Sequence, residues 1–96
     1  MPTRLQRFGT ATLTNTRVQL VNGRGRVLWA VLIGGAAAEV VTVGDRAGND
    51  LFGAGVNVPI AASVPLGPFP IEQGLSVITA TSAGDVGVYG VAEIEE

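Results

Sequence analysis

Glycine and proline interrupt this sequence every few residues, and their spacing limits its possible folds more than any other feature. The 96 residues include 14 glycines and 5 prolines. No window of ten or more residues therefore combines a helical period with good helix formers. Between the breaks lie short runs rich in valine, isoleucine, leucine and threonine, spaced as in β-sandwiches and barrels. The sequence predicts an all-β fold.

The predicted strands are short and number seven, or eight if the first segment splits. We expect them to form a small antiparallel β-sandwich or a jelly-roll-like barrel. The length suits one domain, which we place at residues 16–96, after a basic N-terminal arm or first edge strand at residues 1–15. The runs cover residues 8–14, 16–21, 26–33, 39–44, 56–64, 75–81 and 86–94.

Two short connections suggest how consecutive strands pair. Asn22-Gly23 readily takes the positive φ angles of a type I′ turn, so we expect a hairpin there. Residues 34–37 are too few for a crossover helix, so the strand at residues 39–44 should return antiparallel.

The run at residues 26–33 is apolar on both faces, which is typical of a strand that is buried on both sides. This places the ring of Trp29 in the core, where replacement by alanine would cost about 3–5 kcal/mol. Trp29 or Tyr89 on a surface would instead suit a carbohydrate-binding face. The predicted core comprises Trp29, Val31, Leu32, Val41, Val43, Ile60, Val77 and Val88.

Charge is distributed unevenly along the chain. Residues 1–26 hold five arginines and no acid, whereas residues 27–96 hold one arginine and eight acids. The arginines are spread out and lack interleaved aromatic residues, so we predict no nucleic-acid partner. We expect Arg4 and Arg7 to contact an acidic neighbouring protein or subunit instead.

The residue types needed for most catalysis are missing. The chain has no cysteine, histidine or lysine, so its serines have no base except carboxylates. We therefore predict that the chain is not an enzyme and has no cofactor. Asp45, Asn49 and Asp50 could offer oxygen ligands to Ca²⁺, but they match no EF-hand spacing and are common turn residues, so we predict no metal.

Self-association is expected from size, whereas membrane insertion is not. A chain of this length buries a thin core, so apolar strand faces remain for a partner subunit. We expect Leu66 and Phe69, in a segment stiffened by prolines, to contact a partner or another subunit. The longest apolar stretch, residues 27–38, is well short of the ~20 residues that span a bilayer.

One order of sequence features resembles a known class of proteins. The run at residues 27–33 is followed by Gly34-Gly35-Ala36, then by residues 41–45 and a loop rich in glycine and asparagine. The passages at residues 67–70 and 74–77 and the run at residues 86–89 complete it. In this order the chain resembles the small decoration, or cement, proteins of tailed bacteriophage capsids.

The resemblance implies a function on the outside of a virion. Such proteins are typically β-sandwich or jelly-roll trimers at capsid threefold positions, so it implies a homotrimer that binds the major capsid protein and stabilises contacts between its subunits. Two alternatives remain open. One is a tail-fibre or adhesin module that binds a receptor or carbohydrate, and the other is an accessory domain of an enzyme.

Overall fold

The computed structural model describes residues 2–53, 55–80 and 84–95. Over these residues the chain forms nine β-strands, and no helix is present that could cross a membrane. The strands are β1 (Thr3–Thr10), β2 (Val18–Val21), β3 (Gly25–Ile33), β4 (Glu39–Gly44), β5 (Val56–Val58), β6 (Ser63–Leu66), β7 (Phe69–Ile71), β8 (Leu75–Thr79) and β9 (Gly87–Glu95).

The strands form two antiparallel sheets. The five-stranded sheet has the order β1-β9-β3-β6, with β7 also paired to β3, and the four-stranded sheet has the order β2-β8-β4-β5. Early strands thus pair with late ones: β1 with β9, β2 with β8, β3 with β6 and β7, and β4 with β5. These pairs arise when one long antiparallel hairpin, with its turn between β4 and β5, is folded into two sheets. This strand order is that of a jelly roll. The predicted all-β sandwich is confirmed.

The two expected hairpins between consecutive strands are wrong. β2 and β4 belong to the four-stranded sheet, whereas β3 belongs to the five-stranded sheet. Asn22-Gly23 and residues 34–38 are therefore corners where the chain crosses between the sheets. Gly23 has a φ of 111°, and its carbonyl oxygen accepts a hydrogen bond of 2.8 Å from the amide of Gly74. Turn propensity is local and does not determine the sheet that the next strand joins.

The run predicted at residues 56–64 is divided by a turn. β5 ends at Val58, and the amide of Ala62 donates to the carbonyl of Pro59 at 3.3 Å. Ile60 lies in this turn and is 61% exposed, so its assignment to the core is wrong. The physical reason is Pro59, which lacks the amide hydrogen that a continuous strand would need.

A bulge in β3 determines which side chains point out of the sandwich. Val27 pairs with Ala92 and Trp29 pairs with Val91, so Leu28 is an extra residue between two successive pairs. Val27 faces inward and is fully buried, and the insertion turns Trp29 to the opposite face. The predicted burial of Trp29 is therefore wrong, because the residue is 50% exposed.

The core lies between the sheets and comes from both. Of the predicted core residues, Leu32, Val41, Val43, Val77 and Val88 are buried, so these assignments are confirmed. Val31 is only half-buried. The other large side chains that are fully buried are Leu13, Val21, Val27, Val58, Ile71, Leu75, Val86 and Ile94.

The basic N-terminal segment supplies an edge strand. β1 pairs with β9 along its whole length, from Thr3 opposite Glu95 to Thr10 opposite Val88. It begins and ends earlier than the run predicted at residues 8–14. After it the chain crosses to the other sheet at Leu13, whose amide donates to the carbonyl of Val86 at 2.6 Å.

Part of the opposite charge is paired within the chain. Arg24 Nε lies 3.1 Å from Glu72 Oε2 and 3.4 Å from Glu95 Oε2, and Arg26 Nε lies 3.7 Å from Glu93 Oε1. These groups are solvent-accessible, so each pair contributes about 0–1 kcal/mol. The acidic end of β9 is thus partly neutralised by its own chain, which reduces the charge left for pairing with another subunit.

Candidate functional site

The side of the five-stranded sheet that faces away from the core is an exposed apolar surface, which we call the outer face. Its side chains come from alternate positions of β1, β9 and β3, because successive residues of a strand point to opposite sides. Leu5 is 67% exposed, Trp29 50%, Tyr89 41% and Ile33 40%. Val31 and Val91 lie between them and are half-buried.

The strand register places an arginine and two aromatic residues together on the outer face. Arg7, Val91 and Trp29 form one row across β1, β9 and β3, and Tyr89 is in the next row, opposite Gly9 of β1. The ring of Tyr89 covers Gly9, since a Cβ at Gly9 would lie 2.6 Å from Tyr89 Cδ1. The absence of a side chain at Gly9 therefore allows the ring to lie against the sheet.

These residues surround a depression of about 470 Å³, which we call the Trp29 depression; its lining is Arg7, Phe8, Trp29, Tyr89, Gly90 and Val91. Within the described part of the chain, Arg7 has neither a hydrogen bond nor an ion pair from its guanidinium. The depression therefore combines two exposed aromatic rings with a cation that is available to a ligand.

Replacing Trp29 by alanine is expected to cost about 1–2 kcal/mol of unfolding free energy, less than the loss of a fully buried ring, because Trp29 is already half exposed to water. Urea unfolding, followed by circular dichroism because the variant lacks the only tryptophan, measures this cost. A loss of about 3 kcal/mol or more would show that the ring is buried and would contradict the exposed outer face.

The predicted contact residues do not lie together. Arg4 and Arg7 are exposed on β1, and Arg7 lies at the Trp29 depression. Leu66 and Phe69 are half-buried and pack against the core, and Phe69 makes an edge-to-face contact with Phe52 at a centroid distance of 5.1 Å. Leu66 and Phe69 are opposite Ala30 and Val27, both buried, so they face inward, and their contact with a partner stays a prediction.

The loop with Asp45, Asn49 and Asp50, which could offer oxygen ligands to Ca²⁺, uses the Asp45 carboxylate for hydrogen bonds within the loop. The two carboxylate oxygens of Asp45 accept hydrogen bonds from the amide of Asn49 at 3.0 Å and from its side-chain Nδ2 at 3.1 Å. Ser76 Oγ donates to the carbonyl of Asp45 at 2.8 Å and accepts from Arg17 Nη1 at 2.9 Å. Across the described residues, no group of three or more histidine, cysteine, aspartate or glutamate side chains comes together.

Acid should weaken this loop. The side chain and then the backbone of Asn49 hold the pKa of Asp45 below its usual value. Because the pKa of Asp45 is lower in the folded than in the unfolded chain, its ionised carboxylate stabilises the fold above about pH 4, where the unfolded chain titrates. This stabilisation is lost as the pH falls through the pKa of Asp45 in the folded protein. We expect Asp45→Asn to destabilise the protein at pH 7 and to lose less further stability on acidification than the wild type.

Urea unfolding at pH 7 and pH 3 measures this difference. The control is Asp50→Asn, which removes a carboxylate from the same loop without breaking the contacts of Asn49. An equal acid response in the wild type and in Asp45→Asn would contradict the assigned role of Asp45.

A second depression lies on the four-stranded sheet, with a volume of about 390 Å³. Its walls are mostly apolar and include Val40, Pro59 and Ala80. Glu39 also lines it, but its Oε2 accepts a 2.8 Å hydrogen bond from the amide of Gly84. Glu39 thus stabilises the connection before β9, and the depression offers less than the outer face for binding a polar ligand.

The alternating sequence of the last strand contains one indication of the outer face. Tyr89, Val91 and Glu93 share one face, and a charged residue on a strand face indicates contact with water. Placing Arg7 and Trp29 beside them requires the β1–β9 register and the bulge in β3. Neither of these is encoded in a local pattern.

No protein-family model matches this chain, and a search of the curated proteins finds no relative.

Proposed function

We propose that this chain is a non-enzymatic structural protein of a virion, which binds the outer surface of a phage capsid and stabilises contacts between major capsid subunits. The observation that supports the proposal is the outer face, where exposed apolar side chains extend across three adjacent strands. Apolar patches of this kind mark protein-contact surfaces in soluble domains. The resemblance in sequence order to capsid decoration proteins points to a capsid as the partner.

The physical task of such a protein matches this surface. A rigid sandwich that buries apolar area against two neighbouring capsid subunits favours the closed arrangement of the shell, since it binds that arrangement better than an open one. Arg7 and the paired Arg26 and Glu93 provide polar groups beside the apolar residues, as in the rim of a protein interface.

The proposal predicts that the genome carrying this gene also encodes a major capsid protein, and it is tested by co-sedimentation of the purified chain with shells of that protein. We expect saturable binding that Trp29→Ser weakens about tenfold or more, because a central aromatic residue contributes strongly to an interface. The matched control is Ile60→Ser, which removes an exposed apolar side chain from the turn after β5, outside the three strands of the outer face. Absence of binding, or equal binding by both variants, would contradict docking through the outer face.

A homotrimer is part of this proposal. A cyclic assembly would match a threefold position on a shell and would cover apolar area without leaving a growing edge. The exposed prolines of β6 and β7, together with the partly exposed Leu66 and Phe69, are the groups that this segment offers for contact. Sedimentation equilibrium at micromolar concentration should give three times the chain mass of 9.8 kDa, and a monomer mass would contradict it.

The exposure of Trp29 beside Tyr89 favours a second candidate function, a tail-fibre or adhesin module that binds a receptor or carbohydrate. Aromatic rings that lie open on a sheet offer a flat apolar platform with polar tips. This candidate and capsid docking use the same outer face, so a ligand in the Trp29 depression would compete with a capsid for it.

A further inference from the structure

We infer that the Trp29 depression binds an acidic saccharide, with the sugar ring against Trp29 and Tyr89 and its carboxylate on Arg7. The inference rests on the second candidate function and adds the chemical class of the ligand. It is supported by the exposure of the two aromatic residues, by an Arg7 guanidinium that pairs with none of the described residues, and by the register that puts all three around one depression.

The aromatic pair determines what kind of surface the ligand must have. The C–H face of a pyranose is flat and apolar, and it can cover an aromatic ring while its hydroxyls stay in water. Trp29 and Tyr89 are each about half exposed, so ring area is available without any rearrangement of the core.

Arg7 determines the charge of the ligand. A guanidinium offers a fork of N–H donors that matches the two oxygens of a carboxylate. The nearest acid on the outer face, Glu93, lies within 3.7 Å of Arg26, which offsets its charge. A neutral sugar would leave Arg7 without a partner, whereas an acidic sugar would pair with it.

The spacing of the strands fits one sugar ring. Arg7 and Trp29 are separated by one intervening strand, which puts their backbones about 10 Å apart. Val91 lies between them and is half-buried. A single ring can therefore lie over Val91 and reach the aromatic platform and the guanidinium at the same time.

The test uses the fluorescence of Trp29, the only tryptophan in the chain. The full chain is titrated with oligogalacturonate and 3′-sialyllactose, and with their uncharged counterparts, the methyl-esterified oligomer and lactose. We expect a saturable change with at least one acidic saccharide and at least about tenfold weaker binding of its uncharged counterpart.

Two variants of the same strand provide the matched comparison. Arg7→Gln should weaken binding of the acidic saccharide about tenfold. Arg4→Gln removes the same charge from β1, but Arg4 pairs with Ile94 of the buried face, not with the outer-face row of Val91. It should therefore leave the affinity almost unchanged, and thermal unfolding of both variants confirms that they are folded.

The outcomes separate the inference from the candidate function on which it rests. Equal affinity for charged and uncharged saccharides, or equal effects of the two variants, would overturn the acidic ligand and leave carbohydrate binding in place. Equally tight binding of oligoglutamate would show that the carboxylate alone is recognised and would overturn the saccharide. Absence of any saturable change would overturn both the inference and the second candidate function.

Discussion

Replacing Leu32 by alanine should lower the free energy of unfolding by about 2–5 kcal/mol, because the side chain is fully buried between the two sheets. The substitution removes the apolar contacts of the leucine side chain and leaves a cavity that the surrounding strands fill only in part. A domain of this length has a total stability of roughly 5–14 kcal/mol. The variant should therefore melt well below the wild type, by about 4–8 °C for each kcal/mol.

Leu5→Ala is the matched control for this experiment. Leu5 lies in the same sheet, but it is 67% exposed on the outer face, so its loss should cost about 0.5 kcal/mol or less. Thermal and urea unfolding of both variants measure the difference. Similar losses in the two variants would contradict the assignment of opposite sides of the sheet to the core and to solvent.

Replacing Gly25 by alanine should destabilise the protein by about 2–3 kcal/mol, although alanine is ordinarily the better residue in a strand. Gly25 begins β3 opposite Ile94 of β9, and a Cβ there would overlap the carbonyl oxygen of Glu93. Because the obstacle is backbone and not the end of a flexible side chain, β3 and β9 would have to separate at this point. The pairing that joins the centre of the five-stranded sheet would be weakened.

Gly67→Ala separates this clash from a general effect of replacing glycine. A Cβ at Gly67 would meet nothing within 4 Å, so the change should stay within about 1 kcal/mol of the wild type. Urea unfolding with the same probe compares the two variants. If Gly25→Ala proved as stable as Gly67→Ala, the close approach of β3 and β9 would be wrong.

Strand locations could largely be predicted from the sequence, but the sheet to which each strand belongs could not. Alternation in the last two strands predicts their buried faces, and Val77 and Val88 are buried as expected. The burial of Leu32 is predicted by a run that is apolar on both faces, and it is also confirmed. A jelly roll pairs early strands with late ones, and no local pattern encodes such distant pairing. Asn22-Gly23 therefore indicated a hairpin where the chain crosses between sheets.

The candidate site was missed because it depends on one inserted residue. The apolar run around Trp29 predicts burial on both faces, but this chain supplies a covering layer on one side only. Leu28, the extra residue of the bulge, places Trp29 on the uncovered side. Arg7 was identified from its charge alone, and its position beside two aromatic residues follows from its pairing with Val91 of β9, 84 residues later in the chain.

The most direct measurement on the proposed docking surface is the quenching of Trp29 fluorescence by acrylamide, in the free protein and on capsid shells. Trp29 is the only tryptophan of the chain, so the signal comes from the outer face alone. We expect strong quenching in the free protein and protection when the chain is bound to the shell. A Trp29 already shielded in the free protein, or one still quenched in shell-bound protein, would contradict docking through an open outer face.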